Sequence, residues 1–389
     1  MQPNTPLRIY IIAGEASGDL LGAHLMAALK KLSPRPIQFH GVGGERMQAE
    51  GLASLFPYHN LSLFGFVEIL PKLMQITARI NQTAEDILQK HPDIVITIDV
   101  PGFCLRVIKK VREANLPALY VHYVAPTVWA YNPWRAQRCA ELFDHMLTLL
   151  PFEAPYFTEV GLPTTFVGHA AVVEAGVGDG ERFRQAHQIA KDTPLFCLLP
   201  GSRRGEIKRH MPIFAQAIAM LARSYPELVI TIPVPEHILP YIEPYLMNCP
   251  FPAIVTTNEQ QKKDAIAAAT LAIVKSGTVT FEVAKAGTPM MVCYRLHPLS
   301  AWLLRRKVKI RFVNLINMVL GKEIIPELLQ ERCTPLIIAA TAQQMLQIPE
   351  LIDKQKQGVG EALAQFVPSG GDAPSTLAAK TILGLVSGK

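Results

Sequence analysis

Two stretches with the same pattern decide the fold: RIYIIAG at residues 8–14 and LFCLLPGSRRGEI at residues 195–207. In each, an apolar run ends at a glycine and leads into a segment with helical periodicity, DLLGAHLMAALKKL in the first case and HMPIFAQAIAMLARSY in the second. Unbroken apolar runs of this kind are typical of strands that are buried on both faces of a parallel sheet. The repeat indicates two domains, each opening with a strand, a glycine turn and a helix.

Further apolar runs alternate with helical segments in both halves of the chain. In the first half they are IQFHGVG, DIVITIDV and ALYVHYV, and in the second half LVITIPV, AIVTT, LAIVKSG and PMMVCYR. Strands that alternate with helices predict an α/β fold in which helices cover both faces of a parallel sheet. We therefore predict two doubly wound, Rossmann-like domains.

Glycines and charges replace the apolar pattern in VVEAGVGDGERF, residues 172–183, which marks the boundary between the domains. We expect a first domain over residues 1–175 and a second over residues 176–366, facing a cleft that holds a ligand at the carboxyl ends of the strands. Residues 367–389 predict a tail helix. It would pack either on the first domain or on a partner subunit, and the second case would make a homodimer.

Composition restricts the class of protein. The chain has 389 residues, of which 49% are hydrophobic, and a formal net charge of +6. Nucleic-acid binders more often carry a strong basic stripe, so we expect no nucleic-acid partner. Six cysteines occur without a C-x-x-C pair, which is typical of reduced thiols in a cytoplasmic protein. The N-terminal run has no basic region before it and reads as a strand, not as a signal peptide.

The segment LPGSRRGEI, residues 199–207, has the features of a phosphate site. Gly201 and Ser202 lie between a strand and a helix, where backbone amides and the helix dipole favour an anion. Arg203 or Arg204 is able to make a bidentate contact with that anion. The alternative is a tight turn followed by a solvated arginine pair.

A second junction of the same kind occurs in VKSGTVTFEVAKAGTP, residues 274–289. Ser276, Gly277 and Thr278 begin the helix, and Glu282 follows one turn later, where its carboxylate would accept hydrogen bonds from ribose hydroxyls. The alternative is a capping motif with an acidic first turn. Two such junctions in one domain fit a nucleoside diphosphate.

Asp99 ends a predicted buried strand in IDVPGF, residues 98–103. A partly desolvated carboxylate at the edge of a cleft is a candidate general base. The alternative is an aspartate that caps the following turn.

Motifs for metals and common cofactors are absent from the sequence. There is no G-x-G-x-x-G, Walker A, D-x-D or H-E-x-x-H pattern. We therefore expect a reaction without a metal and without a cofactor.

The segment SAWLLRRKVKIRFVNL, residues 300–315, combines apolar and basic residues. No Asp or Glu occurs from Val283 to Lys322, whereas a solvated helix face normally mixes both signs of charge. Nucleic acid is a second interpretation, and contact with anionic lipids of the cytoplasmic leaflet of the inner membrane is the third. We predict the third, a peripheral membrane contact through Trp302, Leu303, Leu304, Arg305, Arg306 and Lys307.

Ten stretches, in order, resemble the landmarks of the lipid-A-disaccharide synthase family. They are AGEASGD, GVGGERM, FGFVEIL, IDVPGF, YVAPTVWAY, LPFE, FVGH, LPGSRRGEI, SGTVTFE and NLINMVLGKEIIPELLQE. The resemblance implies a B-type, inverting, metal-independent glycosyltransferase. Its substrates would be UDP-2,3-diacylglucosamine and 2,3-diacylglucosamine 1-phosphate, and its products UDP and the β-1,6-linked disaccharide of lipid A.

The resemblance also implies roles for individual residues. Asp99 would be the base for the acceptor 6-hydroxyl, and Arg203 would contact the diphosphate. Ser276, Thr278 and Glu282 would bind the UDP. The residues implied at the acceptor or the cleft are Glu15, Ser17, Glu68 and Asn317. Two positions depart from the family pattern, where Ala170 and Ile316 replace prolines.

Two other classes of protein stay open from the residues themselves. A UDP-sugar epimerase would share the fold and the nucleotide half. A non-catalytic peripheral membrane module would explain the basic segment but would leave Asp99 and the two phosphate junctions without a role.

Overall fold

The structure is a computed structural model, and it describes residues 5–57, 69–173, 176–247, 252–296, 301 and 310–387. Glu68 and residues 302–307, all predicted to have functional roles, lie outside the described residues. The chain divides into two compact units, residues 1–173 with 366–389 and residues 174–365.

The first unit contains seven strands in one sheet. They are β1 (Leu7–Ala13), β2 (Ile37–Val42), β3 (Ala53–Ser54), β4 (Ile94–Ile98), β5 (Leu119–Tyr123), β6 (His145–Thr148) and β7 (Thr164–Phe166). Its helices are α1 (Ala16–Leu32), α2 (Glu45–Ala49), α3 (Ile69–Lys90), α4 (Pro101–Glu113), α5 (Trp134–Leu142), α6 (Ala154–Thr158), α7 (Ala170–Val173) and the C-terminal helix Pro374–Ser387.

The second unit contains six strands in one sheet. They are β8 (Leu195–Leu199), β9 (Val229–Pro233), β10 (Ala253–Thr256), β11 (Leu271–Val274), β12 (Met290–Tyr294) and β13 (Glu327–Leu329). Its α-helices are α8 (Gly180–Ala186), α9 (Arg204–Leu221), α10 (Leu239–Leu246), α11 (Glu259–Ala268), α12 (Val279–Lys285), α13 (Leu315–Leu320), α14 (Pro335–Gln347) and α15 (Pro349–Gln365). Short 3₁₀ helices cover Glu236–Ile238 and Gln330–Arg332.

Both sheets are parallel and reverse their strand order at one point. The orders are β3-β2-β1-β4-β5-β6-β7 and β10-β9-β8-β11-β12-β13. Strands β4, β5, β8 and β9 are buried at every residue, as expected for sheets covered by helices on both faces. The predicted α/β class with two doubly wound parallel sheets is confirmed.

In each sheet the strand order reverses between the first and the fourth strand of the unit. Ligands of such sheets bind outside the carboxyl ends of the strands at that position. In the first unit the two strands are β1 and β4, which align Ala13 with Ile98. In the second unit they are β8 and β11, which align Leu199 with Val274. We therefore expect functional sites at these two edges.

Two glycine landmarks of the sequence form one structural element in the first unit. The buried carboxylate of Asp19, on α1, accepts hydrogen bonds from the amides of Gly44, Arg46 and Met47. It thereby satisfies backbone donors at the start of α2, which an Ncap side chain would otherwise serve. This contact links AGEASGD to GVGGERM.

The C-terminal helix, Pro374–Ser387, packs on α1 of the first unit. Its buried residues Ala378, Ala379 and Ile382 join the cluster that contains Leu25 and Leu29. Small side chains on the helix allow the two backbones to approach closely. No helix among the described residues is long and apolar enough to span a bilayer.

Candidate functional site

A pocket of about 260 Å³ opens at the carboxyl ends of β8 and β11 in the second unit. It lies at the reversal of the strand order, where the sheet topology predicts a ligand. The loops after β8 and β11 contribute two walls, and residues that follow β9 and β10 complete the lining. Among its lining residues are Gly201, Ser202, Glu206, Lys275, Thr278 and Glu282.

Glu206 joins the two walls of the pocket. Its carboxylate is buried and accepts a hydrogen bond from the Ser202 amide at 3.0 Å, and its other oxygen lies 3.1 Å from Lys275 Nζ. Gly201 has a φ of +123°, and a Cβ there would lie 2.3 Å from Glu206 Oε2. Only glycine therefore fits this turn against the carboxylate.

His210 also holds the loop after β8 in place. Its Nδ1 lies 3.0 Å from the Pro200 carbonyl, and its Nε2 accepts a hydrogen bond from the Arg295 amide at 3.1 Å. The carbonyl requires a proton on Nδ1, and the amide requires a free Nε2, so this arrangement selects the neutral Nδ1–H tautomer. Burial lowers the pKa of His210 to about 4, which keeps the ring neutral.

Glu282, predicted to accept hydrogen bonds from ribose hydroxyls, lines the pocket together with Lys262. The Lys262 ammonium lies 3.0 Å from one Glu282 oxygen and 2.8 Å from the other. Burial alone would lower the pKa of Lys262, but the carboxylates of Glu282 and Glu259 together outweigh it and hold the pKa above its usual value. Lys262 therefore stays charged and orients the carboxylate.

The two arginines of the G-S-R-R turn differ in their surroundings. Arg203 is the Ncap residue of α9, its side chain is 56% exposed, and its Nη1 lies 4.0 Å from Glu206 Oε1. The Arg204 guanidinium lies over the Tyr241 ring, 5.0 Å from its centroid. Of the predicted nucleotide-binding residues, Gly201, Ser202, Gly277, Thr278 and Glu282 line the pocket, while Arg203 and Ser276 lie outside the lining.

Asp99 follows β4 in the first unit, where the strand order reverses. It has a φ of +54°, and Val100 has a φ of +44°. Left-handed backbone at a non-glycine residue costs on the order of 1–3 kcal/mol and tends to occur at functional sites. The Asp99 amide donates to the Tyr123 carbonyl at 2.9 Å, which fixes the strained turn to the neighbouring strand.

The environment of the Asp99 carboxyl suits a base. Burial raises its pKa, and a hydrogen bond from the Val100 backbone lowers it in part. A carboxylate with a raised pKa is a stronger base than an ordinary aspartate. The Ncap residue of α4 is Val100 and not Asp99, and no side-chain capping bond is made at that position.

Glu15 and Ser17 lie at the same edge of the first sheet as Asp99. Both follow β1, which pairs with β4. Glu15 is the Ncap residue of α1 but makes no side-chain capping bond, and Ser17 is exposed in the first turn. The implied role of Glu15 and Ser17 at the acceptor or the cleft stays a prediction.

A buried carboxylate joins two further loops at this edge. Glu153, which is 3% exposed, accepts hydrogen bonds from Trp129 Nε1 and the Leu150 amide, both at 3.1 Å. Burial raises its pKa to about 7. The contact holds the aromatic loop after β5 against the loop after β6 and explains the landmarks YVAPTVWAY and LPFE.

Asn317, predicted to contact the acceptor or the cleft, has a different role in the structure. Its side chain is fully buried. It donates to the Ile325 carbonyl and to Glu327 Oε1, and it accepts from the amides of Ile324 and Ile325. Since all its hydrogen-bonding groups are used internally, Asn317 orients the segment that leads into β13.

Sequence reasoning missed four charged residues of the pocket: Glu206, Glu259, Lys262 and Lys275. Glu206 carried a signal, because a glutamate in the first turn of a helix often bonds backbone amides before it. Lys275 is adjacent to the predicted S-G-T junction. Lys262 carried no local signal, since it lies 20 residues from Glu282.

Comparisons with known proteins agree with this architecture. The family model described as Lipid-A-disaccharide synthetase matches residues 9–367. Lipid-A-disaccharide synthase of Rhodospirillum centenum is 45% identical over 384 residues, covering 98% of this chain and 95% of the relative. The protein of the same name from Gluconobacter oxydans is 42% identical over 381 residues, covering 97% of this chain and 91% of the relative.

Solved structures share the fold at low sequence identity. UDP-GlcNAc 2-epimerase from Neisseria meningitidis bound to UDP-GlcNAc aligns with a TM-score of 0.64 and 11% identity, covering 98% of this chain and 100% of that one. CalG4, the calicheamicin glycosyltransferase, aligns with a TM-score of 0.59 and 12% identity, covering 98% of each chain. These likenesses concern the fold alone. The match over nearly the whole sequence is what identifies the family: the chain belongs to the lipid-A-disaccharide synthases.

Proposed function

We propose that this protein transfers the diacylglucosamine of UDP-2,3-diacylglucosamine to the 6-hydroxyl of 2,3-diacylglucosamine 1-phosphate, with release of UDP. Family membership supports this activity. The observation that carries the proposal is the pocket at the carboxyl ends of β8 and β11, whose lining includes Lys262 and Lys275. Its strand-end position, its lysines and its backbone amides suit the diphosphate of a nucleotide sugar.

The proposed chemistry is an inverting displacement. The Asp99 carboxylate takes the proton of the acceptor 6-hydroxyl as its oxygen attacks C1 of the donor sugar. The bond between C1 and the diphosphate oxygen breaks on the opposite face, and the electron pair leaves with UDP. Cationic groups accelerate this step to the extent that they stabilise the leaving charge more in the transition state than in the bound substrate.

Incubation of the purified protein with the two lipid sugars tests the proposal. We expect UDP and a disaccharide 1-phosphate in equal amounts, measured by a coupled UDP assay and by mass spectrometry. An epimerase would instead convert UDP-GlcNAc to its 2-epimer without an acceptor. A binding module would produce neither product, and either result would overturn the proposal.

Replacement of Arg203 by alanine should weaken UDP binding and lower turnover, each by roughly 10-fold, because a charge-assisted contact with phosphate also stabilises the leaving group. Lysine should restore only part of the loss, since it lacks the planar fork of donors. Calorimetry with UDP and steady-state kinetics measure the two effects. Arg204→Ala is the matched control and should change UDP affinity little, because Arg204 lies over Tyr241. The reverse ranking of the two variants would contradict the assignment.

We also propose that the enzyme docks reversibly on the cytoplasmic leaflet of the inner membrane, where acylated substrates would reside. The support is the sequence from Val283 to Lys322, which contains no acidic residue. Apolar and basic residues together suit an interface of acyl chains and anionic headgroups, and each basic residue contributes about 1 kcal/mol near such a surface.

Replacement of Trp302, Leu303 and Leu304 by serine should reduce sedimentation with vesicles that contain anionic lipid. UDP affinity should be unchanged, because none of the three residues is among those proposed to bind the nucleotide. Added salt should weaken vesicle binding of the unaltered protein, since ions screen headgroup attraction. If the triple variant sediments like the unaltered protein at low salt, docking through these residues is refuted.

A further inference from the structure

We propose that Lys275 holds the diphosphate of the nucleotide sugar, and that Glu206 is the positioning residue that sets the place of its ammonium group. This inference rests on the proposed function, because it takes a nucleoside diphosphate as the ligand of the pocket. It adds a cation to the Arg203 contact and gives the buried glutamate a role in binding.

The position of Lys275 is fixed by backbone and side-chain contacts. Its amide donates to the Leu199 carbonyl at 2.8 Å, directly beside the turn that leads to Gly201. Its Nζ lies 3.1 Å from Glu206 Oε1 and 5.5 Å from the centroid of the Tyr294 ring. The carboxylate and the ring together hold the ammonium at the pocket wall.

Lys275 keeps donor capacity for a ligand. An ammonium carries three N–H donors, and one carboxylate, that of Glu206, lies within ion-pair distance of Lys275 among the described residues. The side chain is 20% exposed and lines the pocket. An anion that enters the pocket can therefore meet the ammonium without first breaking its contact with Glu206.

Lys262, the other lysine of the pocket, has different ion-pair partners. It lies within 3.0 Å of both oxygens of Glu282 and 3.5 Å from Glu259. Two carboxylates surround it, so its charge is compensated within the protein. Because the two lysines have different partners, we assign phosphate binding to Lys275 and orientation of Glu282 to Lys262.

Glu206 couples the two walls on which the diphosphate would rest. One oxygen holds the Ser202 amide and the other holds Lys275 Nζ. Loss of its charge would release the ammonium while leaving an acceptor for the amide. The effect of Glu206 on nucleotide binding should therefore depend on the presence of Lys275.

The first test is Lys275→Met, which removes the charge and keeps the length of the side chain. We expect UDP affinity, measured by calorimetry, to fall roughly 10- to 100-fold, the usual effect of losing a charge-assisted hydrogen bond. Uridine binding, measured by ligand-observed NMR, should stay within about 2-fold, because uridine carries no phosphate. Lys322→Met is the matched control, since Lys322 pairs with Glu361 at the surface and lies outside the pocket lining.

The second test is a double-mutant cycle with Glu206→Gln. We expect this variant to weaken UDP binding by roughly 3- to 10-fold in the unaltered background and by less than about 2-fold when Lys275 is already methionine. Equal effects in both backgrounds would show that Glu206 acts on the fold and not through Lys275, which would overturn its positioning role.

The outcomes separate the inference from the proposed function. Unchanged UDP affinity in Lys275→Met, or equal losses of UDP and uridine binding, overturns the role of Lys275 while transfer activity can stand. Loss of UDP affinity alone supports that role even if the lipid sugars give no disaccharide. Failure of the unaltered protein to bind UDP overturns both proposals.

Discussion

Replacement of Asp99 by asparagine is expected to lower the turnover number by a factor on the order of 10² to 10⁴, the usual contribution of a positioned acid or base. Asparagine preserves the shape of the side chain but cannot take a proton from the acceptor hydroxyl. UDP affinity should be nearly unchanged, because the pocket proposed to bind UDP belongs to the second unit. Steady-state kinetics with both lipid sugars and calorimetry with UDP measure the two quantities. Turnover close to that of the unaltered enzyme would place the base elsewhere.

The pH profile provides an independent control for Asp99. Burial raises the pKa of its carboxyl above the ordinary value, and a base must be deprotonated to act. The ratio kcat/KM should therefore fall as pH decreases through this raised pKa, and the acid limb should lie above the range of an ordinary aspartate. Whatever activity remains in Asp99→Asn should lack that limb. An identical acid limb in both proteins would assign it to another group.

Replacement of Asn317 by alanine is expected to lower the free energy of unfolding by about 2–4 kcal/mol, because buried groups are left without partners. The groups concerned are the amides of Ile324 and Ile325, the Ile325 carbonyl and Glu327. Denaturant unfolding followed by circular dichroism measures the loss. The KM for the acceptor should change little at temperatures where the variant is folded.

Asn258→Ala is a matched control for Asn317, since it removes another asparagine from the same unit. The Asn258 side chain caps α11 by accepting from the amides of Gln260 and Gln261, which are exposed. Loss of such a cap costs about 1 kcal/mol. A raised acceptor KM in a fully stable Asn317→Ala variant would restore the original prediction that this residue contacts the acceptor.

The long apolar strands were predictable from the sequence, whereas the short ones were not. The runs 8–14 and 195–199 contain β1 and β8 almost residue for residue. Strands β3, β7 and β13 have only two or three residues each, too few for an apolar period to be visible. Their pairing with a neighbouring strand makes them strands, and that neighbour is distant in sequence.

In the candidate site, too, some features were predictable from the sequence and others were not. The strand-to-helix junctions at Gly201 and Gly277 were predictable, because glycine and hydroxyl residues directly follow apolar runs. The partners of Glu206 and Glu282 were not, since Lys275 and Lys262 lie 69 and 20 residues away along the chain. The family resemblance implied that Asn317 contacts the acceptor or the cleft, and only burial distinguishes a structural amide from a binding one.

The sequence by itself determined the α/β class, the family and the loops in which we predict a base and an anion site, because these depend on local periodicity and on residues adjacent in the chain. The tertiary structure alone decided which charges pair, which side chains are buried and which carboxylates lie beside each lysine of the pocket. The reason is that electrostatic and hydrogen-bonding energies depend on distance and desolvation in three dimensions. Strand order brings Lys275 beside the Gly201 turn, and no pattern of neighbouring residues encodes that contact.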